Sequence, residues 1–450
     1  MNSLDNRTPT FLIKTLGCKV NQYETELMRE CLKKNGFIEA VDEAAADFCI
    51  VNSCTVTASA DKETRNLARH FCKVNPGAKI IIAGCGVEFE EDRKMLAALP
   101  GVTHLVRNHE KQLIAKLLIA PTIDYRPSTV DMISDFKDRD RAFIKAQDGC
   151  DHKCSYCKTG LVRGPSRSRK AGEILCEARA LIANGFKEIV LTGVCLGAWG
   201  RDFEEKQEFA DLVGELAGLQ GDFRIRLSSI EPAYVNDRLL RIMQSTPKVC
   251  GHLHMPLQSA DNRILKRMGR SYSARKFSHI VKKARKNMPD LGLTTDLLIG
   301  FPGEGESEFG NTLKFIQKIR PSRLHVFPYS ARPYTKAARF KDTVVKNVKS
   351  ERVRMLRGLG SALEIEFART FIGKKELVLV ESQRDKNTGM LTGYTDRYVR
   401  VLLDGPDSLK GKLTPVIIEP LDSDLFPSGS AIKLPTRTVP AVRALPLTMG

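Results

Sequence analysis

The placement of the cysteines constrains this chain more than any other feature of its sequence. Cys150, Cys154 and Cys157 form a C-x3-C-x2-C cluster, and the chain has 12 cysteines among its 450 residues. At this composition chance would give that spacing in roughly 1 % of chains, so the cluster indicates a metal framework. Iron–sulfur clusters are normally held by four thiolates. Three close thiolates would therefore leave one iron open to a small molecule.

Three more cysteines, Cys18, Cys54 and Cys85, each follow a short apolar run in the first third of the chain. The runs cover residues 11–15, 48–52 and 79–83, and helical patterns at 24–34 and 62–73 separate them. This alternation predicts a parallel α/β sheet. Because ligands bind beyond the carboxyl ends of such strands, we expect the three thiols to converge. The other six cysteines match no ligand spacing and are expected to be inert.

The middle and the end of the chain predict two further β structures. Six strand-like runs alternate with helical patterns, at residues 142–146, 188–192, 223–228, 252–257, 294–299 and 324–329. They fit a partial (β/α)6 barrel, whose active residues lie at the carboxyl ends of its strands. Short runs after Gly373, at 376–380, 389–395, 397–403 and 415–419, predict a small antiparallel β-barrel of a class that often binds RNA. The predicted fold class is therefore α/β with a small β-barrel at the end.

Several motifs resemble known families. The segment QDGCDHKCSYC at residues 147–157 resembles the radical SAM enzymes, which use S-adenosylmethionine (SAM). Taken in order, residues 10–430 are similar to the methylthiotransferases, which join a cluster domain, a radical SAM barrel and a TRAM domain. The motif TLGCKVNQYE at residues 15–24 is closest to the branch acting on N6-threonylcarbamoyladenosine in tRNA. RGPSRSR at residues 163–169 fits the family's basic signature after the cluster.

The resemblance also implies a domain plan. It places an N-terminal methylthiotransferase cluster domain at residues 9–125, the radical SAM barrel at 136–368 and the TRAM RNA-binding barrel at 370–434. The prolines that follow indicate a poorly ordered tail at residues 435–450.

The resemblance further implies two [4Fe–4S] clusters and SAM. Cys150, Cys154 and Cys157 would hold the cluster that binds SAM, and Cys18, Cys54 and Cys85 would hold the second. Further contacts to SAM or substrate are expected from Tyr156, Gly193, Ser229, Glu231, Gln258 and Asp296. The reaction would convert N6-threonylcarbamoyladenosine at position 37, next to the anticodon, to its 2-methylthio derivative. Catalytic residues beyond the cluster ligands are not assigned.

Charge and hydropathy bear on partners and location. The net charge is +18, yet residues 1–150 balance 21 basic against 21 acidic residues, while residues 251–400 have 30 against 14. This asymmetry favours a polyanion, here the anticodon loop of tRNA. The chemistry needs an electron donor such as flavodoxin or ferredoxin, and a sulfur source. With no long apolar run and no secretory signal, we expect a cytoplasmic protein without a membrane partner.

Other interpretations of the same sequence remain open. Methylthiotransferases with the same three domains also modify isopentenyladenosine in tRNA or an aspartate in a ribosomal protein, and these are alternative activities. A non-catalytic iron–sulfur RNA-binding protein is a more distant alternative. The three clustered thiolates together with His152 also match a structural zinc site. The sulfur donor, the physiological reductant, the set of tRNAs and the oligomeric state cannot be derived from the sequence.

Overall fold

The computed structural model describes residues 8–118, 132–133, 135–136, 139–420 and 442–446. Residues 119–125, which end the predicted first domain, and 421–434 of the predicted third lie outside this described part, as does most of the predicted tail. None of the described helices is long and apolar enough to cross a membrane.

The N-terminal region is a five-stranded parallel sheet. Its strands are β1 (Thr10–Thr15), β2 (Ile38–Glu39), β3 (Phe48–Ser53), β4 (Lys79–Gly84) and β5 (Val102–Val106), in the order β2-β1-β3-β4-β5. Its helices are α1 (Lys19–Lys34), α2 (Ala58–Val74), α3 (Glu90–Ala97) and α4 (Ile114–Leu118). Every residue of β3 is buried, as expected for a central strand covered on both faces. The predicted parallel sheet is confirmed.

The middle region is the predicted partial barrel. Its strands are β6 (Ala142–Asp148), β7 (Arg167–Ser168), β8 (Glu188–Gly193), β9 (Arg224–Leu227), β10 (His252–His254), β11 (Gly292–Ile299) and β12 (Arg323–Pro328). Its helices are α5 (Thr159–Arg163), α6 (Ala171–Ala183), α7 (Phe209–Ala217), α8 (Asp237–Ser245), α9 (Asn262–Met268), α10 (Ala274–Asn287) and α11 (Glu306–Ile319). The pairings run β7-β6-β8-β9 and β10-β11-β12, and bridges such as Ser229 to His254 join the two sheets. Six parallel strands thus follow one another in chain order, and the short antiparallel β7 was not predicted.

The C-terminal region is a closed five-stranded barrel preceded by a long helix, α12 (Lys346–Arg369). Its strands are β13 (Lys375–Arg384), β14 (Leu391–Tyr394), β15 (Arg400–Leu403), β16 (Leu413–Glu419) and β17 (Val442–Pro446), in the order β13-β14-β15-β17-β16. All neighbours are antiparallel except β15 and β17.

The strand β17 differs from the prediction of a poorly ordered tail at residues 435–450. It pairs with both β15 and β16 and so closes the barrel. Closure satisfies backbone groups that two edge strands would otherwise expose. Pro446, the last residue of the strand, and Pro440, two residues before its start, made this strand hard to recognise in the sequence.

The small barrel covers the amino-terminal end of the larger one. Arg224 and Arg226 of β9 are buried and pair with the carboxylate of Glu188, at 2.6 and 2.7 Å. Their remaining donors reach backbone carbonyls of the small barrel at 2.9–3.0 Å, those of Leu377, Tyr394, Thr395 and Asp396. Buried guanidinium groups need such partners. The contacts leave the opposite, carboxyl end of the large barrel to the cysteine loops.

Candidate metal centres

The first thiol triad, Cys150, Cys154 and Cys157, lies in the loop after β6. The loop is closed by hydrogen bonds from the Cys150 amide to the Gly164 carbonyl (3.0 Å) and from the Cys157 amide to the Cys154 carbonyl (3.2 Å). At Gly149 the φ angle is +71°, and an added Cβ would lie 1.8 Å from the Pro165 carbonyl oxygen. Only glycine fits there. All three thiols are partly exposed, as a site open to a small molecule requires.

A buried arginine that the sequence analysis missed stands beside this triad. The Nη1 of Arg270 donates to the Cys154 sulfur at 3.3 Å, and the same side chain pairs with Glu231. Burial raises the pKa of the Cys154 thiol overall, and the guanidinium partly offsets this by favouring the thiolate form that binds metal. Glu231, predicted as a SAM contact, therefore also orients Arg270. No spacing or motif pointed to Arg270, because it lies in a loop more than 110 residues after Cys154.

Cys195, expected to be inert, is a second neighbour of the first triad. Its buried thiol forms a hydrogen bond with Cys150, and that bond lowers the pKa of the Cys150 thiol. Its amide donates to the Oε1 of Gln147 at 2.7 Å. Cys195 thus supports one ligand of the first triad, an arrangement that no ligand spacing in the sequence revealed.

The second thiol triad is assembled from three strand ends. Cys18, Cys54 and Cys85 follow β1, β3 and β4, which are adjacent in the sheet. At Gly17 the φ angle is +93°, and an added Cβ would lie 2.6 Å from the Cys54 sulfur. Cys54 and Cys85 are 5 % and 4 % exposed, whereas Cys18 is exposed. Burial raises the pKa of the Cys54 thiol to about 11, and the neighbouring Cys85 and Cys18 thiols add to that rise. The predicted convergence is therefore present.

A buried ion network lies behind the second triad and joins the two regions. Arg163 donates to Glu24 at 2.8 Å and to Asp148 at 3.0 Å, and Lys145 donates to Glu24 at 3.0 Å. Burial opposes the charge of Arg163, but Glu24 and the nearby Cys85 raise its pKa overall. Arg163 thus places a fixed positive charge near the second triad.

The motif residues after Cys18 have structural roles in this network. Asn21 donates to the carbonyls of Leu16 (2.8 Å), two residues before Cys18, and Ser53 (2.9 Å), directly before Cys54. Arg163 in turn donates to the Oδ1 of Asn21 at 2.7 Å. The motif therefore fixes two of the thiol-bearing loops relative to each other.

The arrangement of the thiols and of His152 does not match a tetrahedral zinc site at either triad. In the part of the chain that the structure describes, neither triad has all its sulfurs within 4.8 Å of one another. Tetrahedral zinc, with Zn–S bonds of about 2.3 Å, needs sulfurs roughly 3.8 Å apart. His152, the fourth ligand of the zinc alternative, instead contacts the Tyr234 hydroxyl at 3.1 Å. Three soft thiolate donors in each triad are the ligand type that [4Fe–4S] clusters use.

The structure places the other predicted contacts around the first triad and the barrel interior. Tyr156 is partly buried and packs edge-on against Phe301, with ring centroids 6.3 Å apart. Gly193 ends β8, and an added Cβ would meet Gln147 at 3.1 Å. Ser229 is exposed, and Gln258 has an unusual φ of +65° held by backbone hydrogen bonds to β11. Their predicted roles at SAM or substrate stay predictions.

Asp296 lies between two histidines on the polar face of the barrel strands. Its carboxylate oxygens are each 3.1 Å from a ring nitrogen, of His254 and of His325. Although burial opposes it, hydrogen bonding to these rings lowers the pKa of Asp296. The two histidines were not singled out from the sequence, although register places His325 directly opposite Asp296. The three side chains give the barrel interior a hydrogen-bonding surface.

Sequence comparisons agree with this geometry. A radical SAM superfamily model matches residues 144–316, and the model of an uncharacterized protein family, UPF0004, matches residues 10–106. The threonylcarbamoyladenosine tRNA methylthiotransferase MtaB of Thermotoga maritima is 38 % identical, over 87 % of this chain and 90 % of its own length. MtaB of Bacillus subtilis is 36 % identical over 91 % and 93 %. The chain belongs to the radical SAM methylthiotransferase family.

More distant relatives are consistent with this membership. The tRNA-2-methylthio-N(6)-dimethylallyladenosine synthase of Acetivibrio thermocellus is 33 % identical, over 91 % of this chain and 88 % of its own. The radical SAM methyltransferase TsrM of Kitasatospora setae shares the fold, with a TM-score of 0.56 at 13 % identity over 74 % of this chain and 77 % of its own. This methylthiotransferase is thus a radical SAM tRNA-modifying enzyme whose cofactors are SAM and [4Fe–4S] clusters.

Proposed function

We propose that this methylthiotransferase converts N6-threonylcarbamoyladenosine at position 37 of tRNA to its 2-methylthio derivative. The observation that carries the proposal is the convergence of two separate thiol triads, with Lys158 beside Cys157 contacting Thr55 beside Cys54. Relatives with the threonylcarbamoyl activity are 34–38 % identical, against 30–33 % for those with the dimethylallyl activity.

Each triad is assigned one cluster. Cys150, Cys154 and Cys157 would hold the cluster that serves SAM, and Cys18, Cys54 and Cys85 would hold the second. When bound, these groups supply the radical and sulfur chemistry that an aromatic C–H bond requires. Both sites lie where the two regions meet, and each has a buried cation beside it. Arg270 contacts the first triad, and Arg163 lies near the second. The remaining predicted contacts, including Tyr156 and Asp296, are proposed to contact SAM or the substrate.

Lys19 is the proposed contact for the carboxylate of the threonylcarbamoyl group. Two other buried cations close to the thiol triads, Arg163 and Arg332, are already paired with Glu24 and Asp61. Lys19 has no ion pair with any of the residues that the structure describes, and burial lowers its pKa. A buried ammonium gains most from an anionic partner. Isopentenyladenosine offers none, so Lys19 supports the threonylcarbamoyl substrate.

Deleting the gene and analysing digested tRNA by mass spectrometry tests the substrate. Loss of 2-methylthio-N6-threonylcarbamoyladenosine is the expected result, and loss of only the isopentenyl analogue would refute the proposal. In vitro, Lys19→Met is expected to raise KM for threonylcarbamoylated tRNA about tenfold or more, because a charge-assisted contact of about 1.5–3 kcal/mol is lost. Lys19→Arg keeps the charge and should retain most of the affinity.

The remaining partners follow from the chemistry. Reductive cleavage of SAM needs a one-electron donor such as flavodoxin or ferredoxin, and methylthio transfer needs a sulfur source. The free thiols and the tRNA substrate fit the cytoplasm, where thiols stay reduced. Reconstitution of SAM cleavage with purified flavodoxin or ferredoxin in place of dithionite tests the choice of donor.

A further inference from the structure

We propose that Lys158, Arg332 and Thr55 form a clamp that sets the position of the second thiol triad relative to the first. The proposal rests on the assignment of one cluster to each triad. Thr55 directly follows Cys54, and Lys158 directly follows Cys157. A contact between these two residues therefore links one ligand loop of each site.

The first arm of the clamp is Lys158. Its Nζ donates to the Thr55 hydroxyl and to the Asp92 carboxylate, each at 3.1 Å, and its side chain is 1 % exposed. The ammonium also lies 4.7 Å from the ring of Phe89 and 5.2 Å from that of Tyr334, which stack on each other. A buried ammonium is tolerated only with such compensation. Since Thr55, Phe89 and Asp92 belong to the N-terminal region, Lys158 is fixed between the two regions.

The second arm is Arg332, in the segment after β12. Its Nη2 donates to the Thr55 carbonyl (3.1 Å) and hydroxyl (3.2 Å) and pairs with Asp61 of α2. The same segment reaches the first triad, because the Ala337 amide donates to the Ser155 carbonyl at 2.8 Å. Residues 332–337 thus touch the Cys54 loop at one end and the loop between Cys154 and Cys157 at the other.

The Thr55 hydroxyl is the point where both arms meet. A hydroxyl oxygen has two lone pairs, and here two buried cations donate to it. Removing the hydroxyl takes one acceptor from each cation, so that Lys158 keeps Asp92 and Arg332 keeps Asp61 and the Thr55 carbonyl, and it alters no cysteine. The position of Cys54 would then be set less firmly relative to the first site.

A loosened spacing has a distinct chemical consequence. Each site would still bind its own cluster, and SAM would still be cleaved at the first site. Methylthio transfer needs both sites at the correct distance and orientation. A displacement of about 1 Å can lower the rate of such a step on the order of 100-fold. Loss of the clamp is therefore expected to give SAM cleavage without product formation, and not loss of a cluster.

The test compares Thr55→Val, which keeps the shape but removes the hydroxyl, with Thr55→Ser, which restores it. Lys94→Ala is the matched control, since Lys94 is an exposed cation of α3. In the reconstituted full-length enzyme, we would measure iron, 5′-deoxyadenosine, methylthiolated tRNA and the spin–spin interaction between the reduced clusters by EPR. For Thr55→Val we expect iron and 5′-deoxyadenosine within about twofold of wild type, and product per 5′-deoxyadenosine reduced about tenfold or more. The EPR interaction should change, and Thr55→Ser should behave as wild type.

A second variant keeps the proposal testable if Thr55→Val is poorly folded. Lys158→Met should give the same uncoupling, and the double variant should be no worse than either single one, because both remove one contact. An unchanged product ratio, or a product loss that only follows iron loss, would overturn the clamp. If wild type forms no product from threonylcarbamoylated tRNA, the proposed function fails instead. The EPR comparison then decides the clamp alone, an unchanged interaction counting against it.

Discussion

The two thiol triads reach similar donor sets by different routes. Cys150, Cys154 and Cys157 lie within one loop after β6, so the local backbone alone brings them together. Cys18, Cys54 and Cys85 are separated by 36 and 31 residues and meet only because β1, β3 and β4 are neighbours in a parallel sheet. The first site therefore depends on the conformation of one loop, whereas the second depends on the arrangement of the whole sheet.

The two triads also differ in exposure and in the side chains that surround them. The first triad is partly exposed, and Arg270 and Cys195 contact its sulfurs directly. In the second, Cys54 and Cys85 are buried against the sheet, and the neighbouring cation Arg163 is held by a network that spans both regions. The difference implies that either site can be emptied without emptying the other, while damage to the sheet should affect only the second.

The largest predicted effect separates the two sites by ligand removal. Cys154→Ala should remove about four of eight irons and abolish SAM cleavage, because the first cluster loses a ligand. Cys54→Ala should remove a similar amount yet keep part of the SAM cleavage, while methylthio transfer stops. Iron analysis and chromatography of 5′-deoxyadenosine measure both. Cys176→Ala, at an exposed cysteine outside both triads, is the control.

Equal loss of SAM cleavage in the two cysteine variants would contradict the separation. It would mean that the second site is needed to build or reduce the first. Full iron retention in either variant would instead remove that cysteine from the ligand set.

A smaller effect is expected from the backbone of the second site. Gly17→Ala should lower the free energy of unfolding by about 1–3 kcal/mol through strain and empty the second site, since its Cβ would overlap Cys54. Gly36→Ala is a matched control: its φ is +85°, but no atom lies within 4 Å of an added Cβ. It should cost about 1–2 kcal/mol and leave the iron content unchanged. Denaturant unfolding and iron analysis distinguish them, and iron loss in both would reduce the Gly17 effect to general destabilisation.

Sequence reasoning succeeded where spacing or period carries the information. The C-x3-C-x2-C spacing located the first triad, and strand periodicity located the sheet, the six barrel strands and hence the second triad. The α/β architecture was predicted correctly for the same reason: buried parallel strands appear in the sequence as strongly apolar runs.

What the sequence did not reveal are contacts between residues far apart in the chain. Arg270 lies 116 residues from Cys154, and Arg332 lies 277 residues from Thr55. No periodicity links such pairs, since they meet through tertiary packing. The basic loop at residues 163–169 illustrates the reverse case. It matches the family's basic signature, yet Arg163 and Arg169 pair with Glu24 and Glu177 inside the protein.

The smallest predicted effect changes a region that supplies no ligand to either triad. Along α12 the basic residues divide by burial: Arg352 is buried against Glu304, whereas Lys346 and Arg354 are exposed. Lys346→Gln combined with Arg354→Gln should weaken tRNA binding without loss of iron from either site. Each lost phosphate contact should make the salt dependence of log K less steep by about 0.7–0.9.

The matched control for α12 is a double substitution on α2, in the charge-balanced N-terminal third. Lys62→Gln with Lys73→Gln removes the same two charges from exposed positions and should leave the salt dependence unchanged. Filter binding of tRNA across a salt series measures both. Equal weakening by the two pairs would mean that the RNA senses only net charge, whereas a change confined to α12 places the polyanion along the basic side of the molecule. Iron loss in the α12 variant would contradict the independence of both triads from this helix.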